Sequence, residues 1–309
     1  MNKISIAVIQ ATPVFFDIEA TTEKTIDLIK KAAEKEAQLV VFPESFIPGY
    51  PRGMNFGAVI GRRSNEGREL YRRYRENSLE ENDTYFKQLS CSAKENQIYL
   101  AIGATEKDRL NSSLYCSYFY FAPDGNYLGK HRKIKPTGSE RVVWAEGGAD
   151  TLTVIDSEIG IFGGLICWEN YMPLARQAIY NKGVEIYLAP TADARDEWQT
   201  TMKHIALESR SFVAGCNQYI TKNDYPEWSL KNVQKQEDLH CRGGSVIISP
   251  MGKTLAGPVY DKEEIIIGEI DKDDISRGKM DLDVAGHYSR NDIFQFETKG
   301  QPKNIIHNK

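Results

Sequence analysis

Residues 4–42 read as strand, helix, strand, and this opening restricts the architecture more than any other feature of the chain. Ile4 to Gln10 alternates in hydrophobicity and breaks at Thr12-Pro13. Thr21 to Lys35 carries apolar side chains at helical spacing (Ile26, Leu28, Ile29, Ala32, Ala33) with charges opposite. Leu39-Val40-Val41-Phe42 is a short apolar run stopped by Pro43, the mark of a buried strand. Such a unit implies parallel neighbouring strands joined by a right-handed crossover.

The remainder repeats the theme. Arg62 to Glu76 is arginine-rich and reads as a solvated helical face or loop, with subunit contact as the alternative. A helix is predicted over Asp83 to Asn96, leading into a strand from Ile98 to Gly103. Ser113 to Phe121 and Tyr127 to Lys133 form a predicted hairpin around Pro123-Asp124-Gly125-Asn126. A turn and strand run from Thr151 through Ile161 to Ile166 and end at Cys167. A helix from Pro173 to Asn181 follows, with proline where a first turn tolerates it. Then come strand Glu185 to Ala189, helix Glu197 to Arg210 and strand Phe212 to Tyr219. The late strands are Gly244 to Ile248 and Ile265 to Ile270, separated by the turn Pro250-Met251-Gly252-Lys253. No repeat, composition shift or low-complexity linker divides the 309 residues. One domain is expected, with a core over about 4–294 and a tail over 295–309. Its class is α/β, with two mixed sheets and helices outside.

Composition excludes several partners. The formal net charge is -4 with both signs interspersed, so no basic face is offered to nucleic acid. The apolar start lacks a small-residue cleavage site, and no run approaches the roughly 20 apolar residues of a membrane helix. The five cysteines are scattered, without a CxxC pair, which argues against a disulfide framework and a zinc site. Reduced thiols in a cytoplasm are the expectation.

Three positions invite chemistry. Cys167 follows the apolar run Ile161 to Ile166 and precedes a helix, a junction that can lift a sulfur above a sheet edge near backbone N–H groups. Taken alone it can equally be one more buried thiol. Glu44 comes just after the second strand, where Pro43 stops the ladder and exposes the next side chain at the carboxyl end. It can be a base or a surface cap. Lys133 sits in the cationic stretch His131-Arg132-Lys133-Ile134-Lys135, which alone reads as a basic loop.

Read jointly, these segments have a pattern. Phe42-Pro43-Glu44, His131-Arg132-Lys133-x-x-Pro136-Thr137-x-x-Glu140-Arg141 and Cys167-Trp168-Glu169-Asn170 occur in one order and spacing. The sequence resembles the nitrilase branch of the carbon–nitrogen hydrolase superfamily from Val8 to about Phe294. The likeness extends to Gly49-Tyr50-Pro51-Arg52-Gly53, Pro190-Thr191-Ala192-Asp193 and Gly286-His287-Tyr288-Ser289-Arg290, and it is strongest to plant-type nitrilases and their bacterial relatives.

The resemblance implies a four-layer α-β-β-α sandwich, no metal or organic cofactor, and assembly as a homodimer or larger homo-oligomer. It implies Cys167 as nucleophile, Glu44 as general base, Lys133 as electrostatic stabiliser and Glu140 as a second glutamate of the site. Tyr50, Trp144, Trp168 and Thr191 flank the motifs and are expected to line the substrate pocket, with core packing as the alternative. His131 is grouped with them as the neighbour of Lys133. The implied reaction takes a nitrile and water to carboxylic acid and ammonia. An amidase or carbamoylase of the same superfamily, a cyanide-hydrolysing enzyme and a catalytically silent scaffold are the competing readings.

Overall fold

The structure, a computed structural model, describes residues 3–233, 235, 239–300 and 306–308. The chain opens with β1 (Lys3–Gln10), α1 (Ile18–Ala33) and β2 (Leu39–Val41), in which β1 and β2 run parallel. Two helices follow, α2 (Asn65–Glu76) and α3 (Thr84–Glu95), then strands β3 (Tyr99–Lys107), β4 (Leu114–Phe121) and β5 (Tyr127–Arg132). β6 (Val154–Ser157), β7 (Gly160–Gly164), α4 (Pro173–Tyr180), β8 (Ile186–Thr191), α5 (Asp196–Ser209) and β9 (Phe212–Asn217) form the second half. The chain then adds β10 (Tyr219–Ile220), β11 (Cys241–Ile248), β12 (Thr254–Tyr260), β13 (Glu264–Asp271), α6 (Asp273–Lys279) and β14 (Ile306–Asn308).

The strands make two mixed sheets. One has the order β13-β1-β2-β3-β4-β5; the other runs β10-β11-β9-β8-β7-β6-β14, with β12 paired to β11. Period-2 alternation assigns each strand face. Ile4, Ile6 and Val8 of β1 meet Ile186, Leu188, Phe212 and Ala214 of the other sheet, while Ala7 and Ile9 turn outward with Val40 onto Ile29 of α1 and Leu89 of α3. On the far side, Ala189, Val213 and Val246 pack against Ile179 of α4 and Met202 and Ile205 of α5. The result is the four-layer α-β-β-α sandwich, and each fully buried Ile or Leu in it contributes about 1.5–3 kcal/mol.

The helices begin where the sequence supplies caps. Asp17 accepts from the Ala20 N–H at 2.9 Å, Ser64 from Gly67 at 2.9 Å and Asp83 from Phe86 at 2.8 Å. The Ser64 cap makes the arginine-rich stretch a helix, with Leu70 and Tyr74 as its buried face and Arg72 and Arg73 paired to Glu69 outside.

Three expectations are corrected, and part of the tail is placed. The stretch from Thr151 to Ile166 divides into the antiparallel pair β6 and β7, and Leu165-Ile166 lie beyond the strand. The run from Phe212 to Tyr219 divides into β9 and β10. The turn at Pro250–Lys253 closes the hairpin of β11 with β12, a strand not foreseen. The expected tail supplies β14, which pairs in parallel with β6.

Candidate active site

Three short segments after sheet strands, two from one sheet and one from the other, present their side chains to a common space. Pro43-Glu44-Ser45 leaves β2 and lies directly on Gly103 of β3, where a Cβ would overlap the Pro43 carbonyl and sit 2.7 Å from the Ser45 nitrogen. The missing side chain is what lets the turn settle, and Phe46 N–H donates to the Gly103 carbonyl at 2.8 Å. Glu44 is therefore turned inward and wholly buried, contrary to the exposed side chain expected at the strand's end.

Lys133 follows β5, tied by its N–H to the Cys116 carbonyl at 2.8 Å and by its own carbonyl to the Gly147 N–H at 2.8 Å. Its ammonium, also fully buried, donates to Glu44 Oε1 at 2.6 Å and to Glu140 Oε2 at 2.7 Å. An ammonium has three N–H donors, so one remains after these two. Glu140 sits on a tight turn over Gly138–Val142. It also accepts from the Thr137 N–H at 2.6 Å and from the Tyr50 hydroxyl at 2.7 Å.

Cys167 opens a 3₁₀ turn (Cys167–Tyr171) between β7 and α4 with φ of +53°. That left-handed backbone is uncommon for a residue with a side chain, and it lifts the sulfur off the strand's end. Thr191, at the end of β8, donates its hydroxyl to Cys167 Sγ at 3.1 Å. Asn170 holds the turn from within, donating to the carbonyls of Leu165 at 3.0 Å and Cys167 at 2.8 Å.

The charges set the resting protonation. Burial pushes the Glu44 carboxyl up, and Lys133 pulls it back, while the like charge of Glu140 adds to the rise. Burial works against the Lys133 ammonium, but the negative charges around it, Glu44 first, hold it well above the usual lysine range. Burial, and then the charge of Glu44, push the Cys167 thiol up, with Lys133 opposing. Burial therefore favours the thiol form of Cys167 over the thiolate.

Glu169 does different work. Its Oε2 accepts from the Ile166 N–H at 2.7 Å, its Oε1 from the Ile134 N–H at 2.5 Å, and His131 Nε2 lies 2.9 Å from Oε2. One buried carboxylate so joins the segment after Lys133 to the segment before Cys167. The other His131 nitrogen faces the Thr151 carbonyl at 3.0 Å, and the ring is fully buried. His131, expected among the substrate-binding residues, lines neither of the two cavities described below and is held on both sides.

A cavity of about 650 Å³ opens above the cysteine, lined by Tyr50, Arg52, Glu140, Cys167, Trp168 and Asp193 among others. A second, of about 690 Å³, is lined by Trp144, Val143 and the 50–58 loop and shares Tyr50, Arg52, Ser139, Glu140 and His240 with the first. Trp168 is 41% exposed, donates from Nε1 to Asp193 Oδ2 at 2.8 Å and stacks under Arg195 at 4.9 Å. Trp144 lies in the second cavity's wall, 5.6 Å from Tyr50 between ring centroids. Thr191 is buried and reaches the cavity only through the sulfur.

The Carbon-nitrogen hydrolase family model matches residues 5–280. The chain belongs to the carbon–nitrogen hydrolase family. Among curated relatives of this hydrolase, an aliphatic nitrilase of Sinorhizobium fredii is 47% identical over 99% of each chain. A bifunctional nitrilase/nitrile hydratase of Lupinus angustifolius is 45% identical over 97% of this chain and 87% of its own. Among solved structures, a branch 10 member of the nitrilase superfamily from Saccharomyces cerevisiae superposes with TM-score 0.74 at 23% identity, covering 93% of this chain and 97% of its own, a likeness of fold.

Sequence reading missed several residues of the hydrolase's site. Cys116, whose thiol donates to Glu44 Oε1 at 3.6 Å, gave no signal in a bland strand. Arg52 stood inside a quoted motif without a role. Asp193, likewise inside a motif without a role, and Arg195 and Arg242, legible only as charged residues, line the same cavity. No group of metal-ligating side chains occurs among the described residues, and no helix among them is long and apolar enough to cross a membrane.

Proposed function

We propose that this hydrolase converts nitriles to carboxylic acid and ammonia, with Cys167 as nucleophile, Glu44 as general base, and Lys133 and Glu140 stabilising charge. The observation that carries this reading is the buried chain Glu44–Lys133–Glu140 set against a cysteine in a left-handed turn at a cavity floor. Its curated relatives are named nitrilases, which supports a nitrile as substrate.

The resting thiol cannot attack unaided. As sulfur adds to the nitrile carbon, Glu44 accepts the thiol proton, and the remaining Lys133 N–H faces the charge developing on nitrogen. Returning that proton to nitrogen gives a thioimidate. One water adds to its carbon, ammonia leaves from the protonated nitrogen, and an acyl-enzyme remains. A second water releases the acid and restores the thiol. The sum is one nitrile and two waters to one acid and one ammonia.

The described cysteines are all free thiols, Cys91 among them exposed, which supports a reducing compartment and hence the cytoplasm. We read the chain as one catalytic domain that self-associates. Exposed apolar side chains such as Ile60 and Leu174 support the association, and light scattering that showed only a 35.0 kDa species would overturn it.

Cys167→Ala tests the core of the reading. Purified and folded, it should release no ammonia from aliphatic or arylaliphatic nitriles that the native protein consumes. Retained turnover would remove Cys167 from the chemistry. Fast hydrolysis of the matching amides with none of the nitriles, in the native protein, would make it an amidase.

A further inference from the structure

Among the described residues, Arg52 is the cation of this site without a carboxylate partner. Its Nη2 donates to the Ala192 carbonyl, while its Nε is buried and has no hydrogen-bond partner. No carboxylate of the described residues pairs with it. The ionisable groups that face it are Cys241, Tyr225, Tyr50 and Cys167, all thiols or phenols that burial keeps neutral. The other cations nearby are spoken for: Lys133 by Glu44 and Glu140, Arg195 by Asp193 at 2.6 Å, and Arg242 more loosely by Asp196 and Asp261, each at 3.8 Å.

A half-buried guanidinium with its Nε buried and no counter-ion among the described residues is favoured by an anion. This one lines the same cavity as Cys167, and a space of about 650 Å³ has room for far more than a nitrile group. The planar fork of arginine suits one anion best, a carboxylate held by paired N–H donors.

We propose that the natural substrate is a nitrile bearing a carboxylate at its far end, and that Arg52 binds that carboxylate while the nitrile carbon lies at Cys167. The proposal rests on the nitrile-hydrolysing reading. It makes Arg52 a specificity residue: its contact is already made in the ground state and persists through the reaction, so its loss acts mainly on KM.

The experiment compares 4-cyanobutanoate with pentanenitrile on the full chain, reading ammonia release for the native protein, Arg52→Lys and Arg52→Met. The native protein should favour the cyano acid by about tenfold or more in kcat/KM, as a charged hydrogen-bonded pair implies, with the difference in KM. Arg52→Met should lose the preference, and Arg52→Lys should keep part of it, because the charge survives without the fork. Glutarate should compete with 4-cyanobutanoate in the native protein and pentanamide should not; this arm decides the matter if Arg52→Met does not fold. Equal use of both nitriles, an intact preference in Arg52→Met, or indifference to glutarate would each overturn the inference while leaving nitrile hydrolysis standing. Failure to consume either nitrile or any longer homologue would remove the nitrilase reading, and this inference with it.

Discussion

Glu44 and Glu169 are two buried glutamates near one cysteine, and they differ in how far their oxygens are satisfied. Both oxygens of Glu169 are engaged, by the N–H groups of Ile166 and Ile134 and by the His131 ring. Glu44 receives Lys133 and the weak Cys116 donor on Oε1, while its Oε2 is buried and accepts no hydrogen bond. Burial alone thus does not separate a scaffold carboxylate from a reactive one. On the proposed mechanism the difference assigns the roles: Glu169, with both oxygens tied to donors, holds the scaffold, and Glu44, with one oxygen bare, takes up the thiol proton.

The largest effect should come from Glu44→Gln. Turnover should fall by about 10³-fold or more, within the range for a positioned general base, with the melting temperature nearly unchanged. If turnover survives, the contrast between the two glutamates is empty. Glu169→Ala should do the reverse and act first on stability. It strands two buried N–H donors and the His131 ring, so denaturant unfolding should show a loss of about 3 kcal/mol. An unaltered unfolding curve would show that the link between the two segments is dispensable.

Glu140→Gln sharpens the comparison through pH. Glu140 raises the Glu44 carboxyl, so activity should fade on acidification at a pH above that of an ordinary glutamate, as protonation disables the base. Removing the neighbour's charge should lower the Glu44 pKa and move that acid limb to lower pH, on top of a loss of about 10–100-fold in turnover. A limb that stays put, or moves up, would separate Glu140 from the electrostatics of the base. Smallest is Thr191→Val, which deletes the hydroxyl donated to sulfur; a fall of about three- to tenfold in the rate of Cys167 alkylation and in turnover is expected for one such hydrogen bond. No change in either rate would leave Thr191 a packing residue.

Much of the fold was legible because its strands carry a plain signal. β1, β2, β8 and β9 are apolar runs between turn residues, and α1 and α5 show their buried stripes. β12 was not legible: Gly257-Pro258 interrupts it, its residues are exposed or half-buried without alternation, and its register with β11 shifts repeatedly. α6 is short and highly charged, so it lacks the apolar repeat by which a helix is recognised. At the site, motif order located Glu44, Lys133, Glu140 and Cys167, which the fold brings together. Glu169 and His131 could not be read for what they are, because their meaning lies in the backbone groups of Ile134, Thr151 and Ile166 that only the folded chain delivers. Arg52 was hidden for the opposite reason: its character lies in the carboxylate that, among the described residues, does not face it.

Tyr50 stands in the wall between the two cavities while its hydroxyl holds Glu140, so the breadth of the chamber and the strength of its chemistry share one side chain. An engineer who trims Tyr50 to admit bulkier molecules also frees the carboxylate bound to the lysine, and on the proposed mechanism loses rate in the same stroke. Variation aimed at scope is better placed at Ala194 or Met54, which line one chamber each and bind none of the charged groups. Evolution faces the same coupling: a lineage changing its diet through Tyr50 must first find another donor for Glu140.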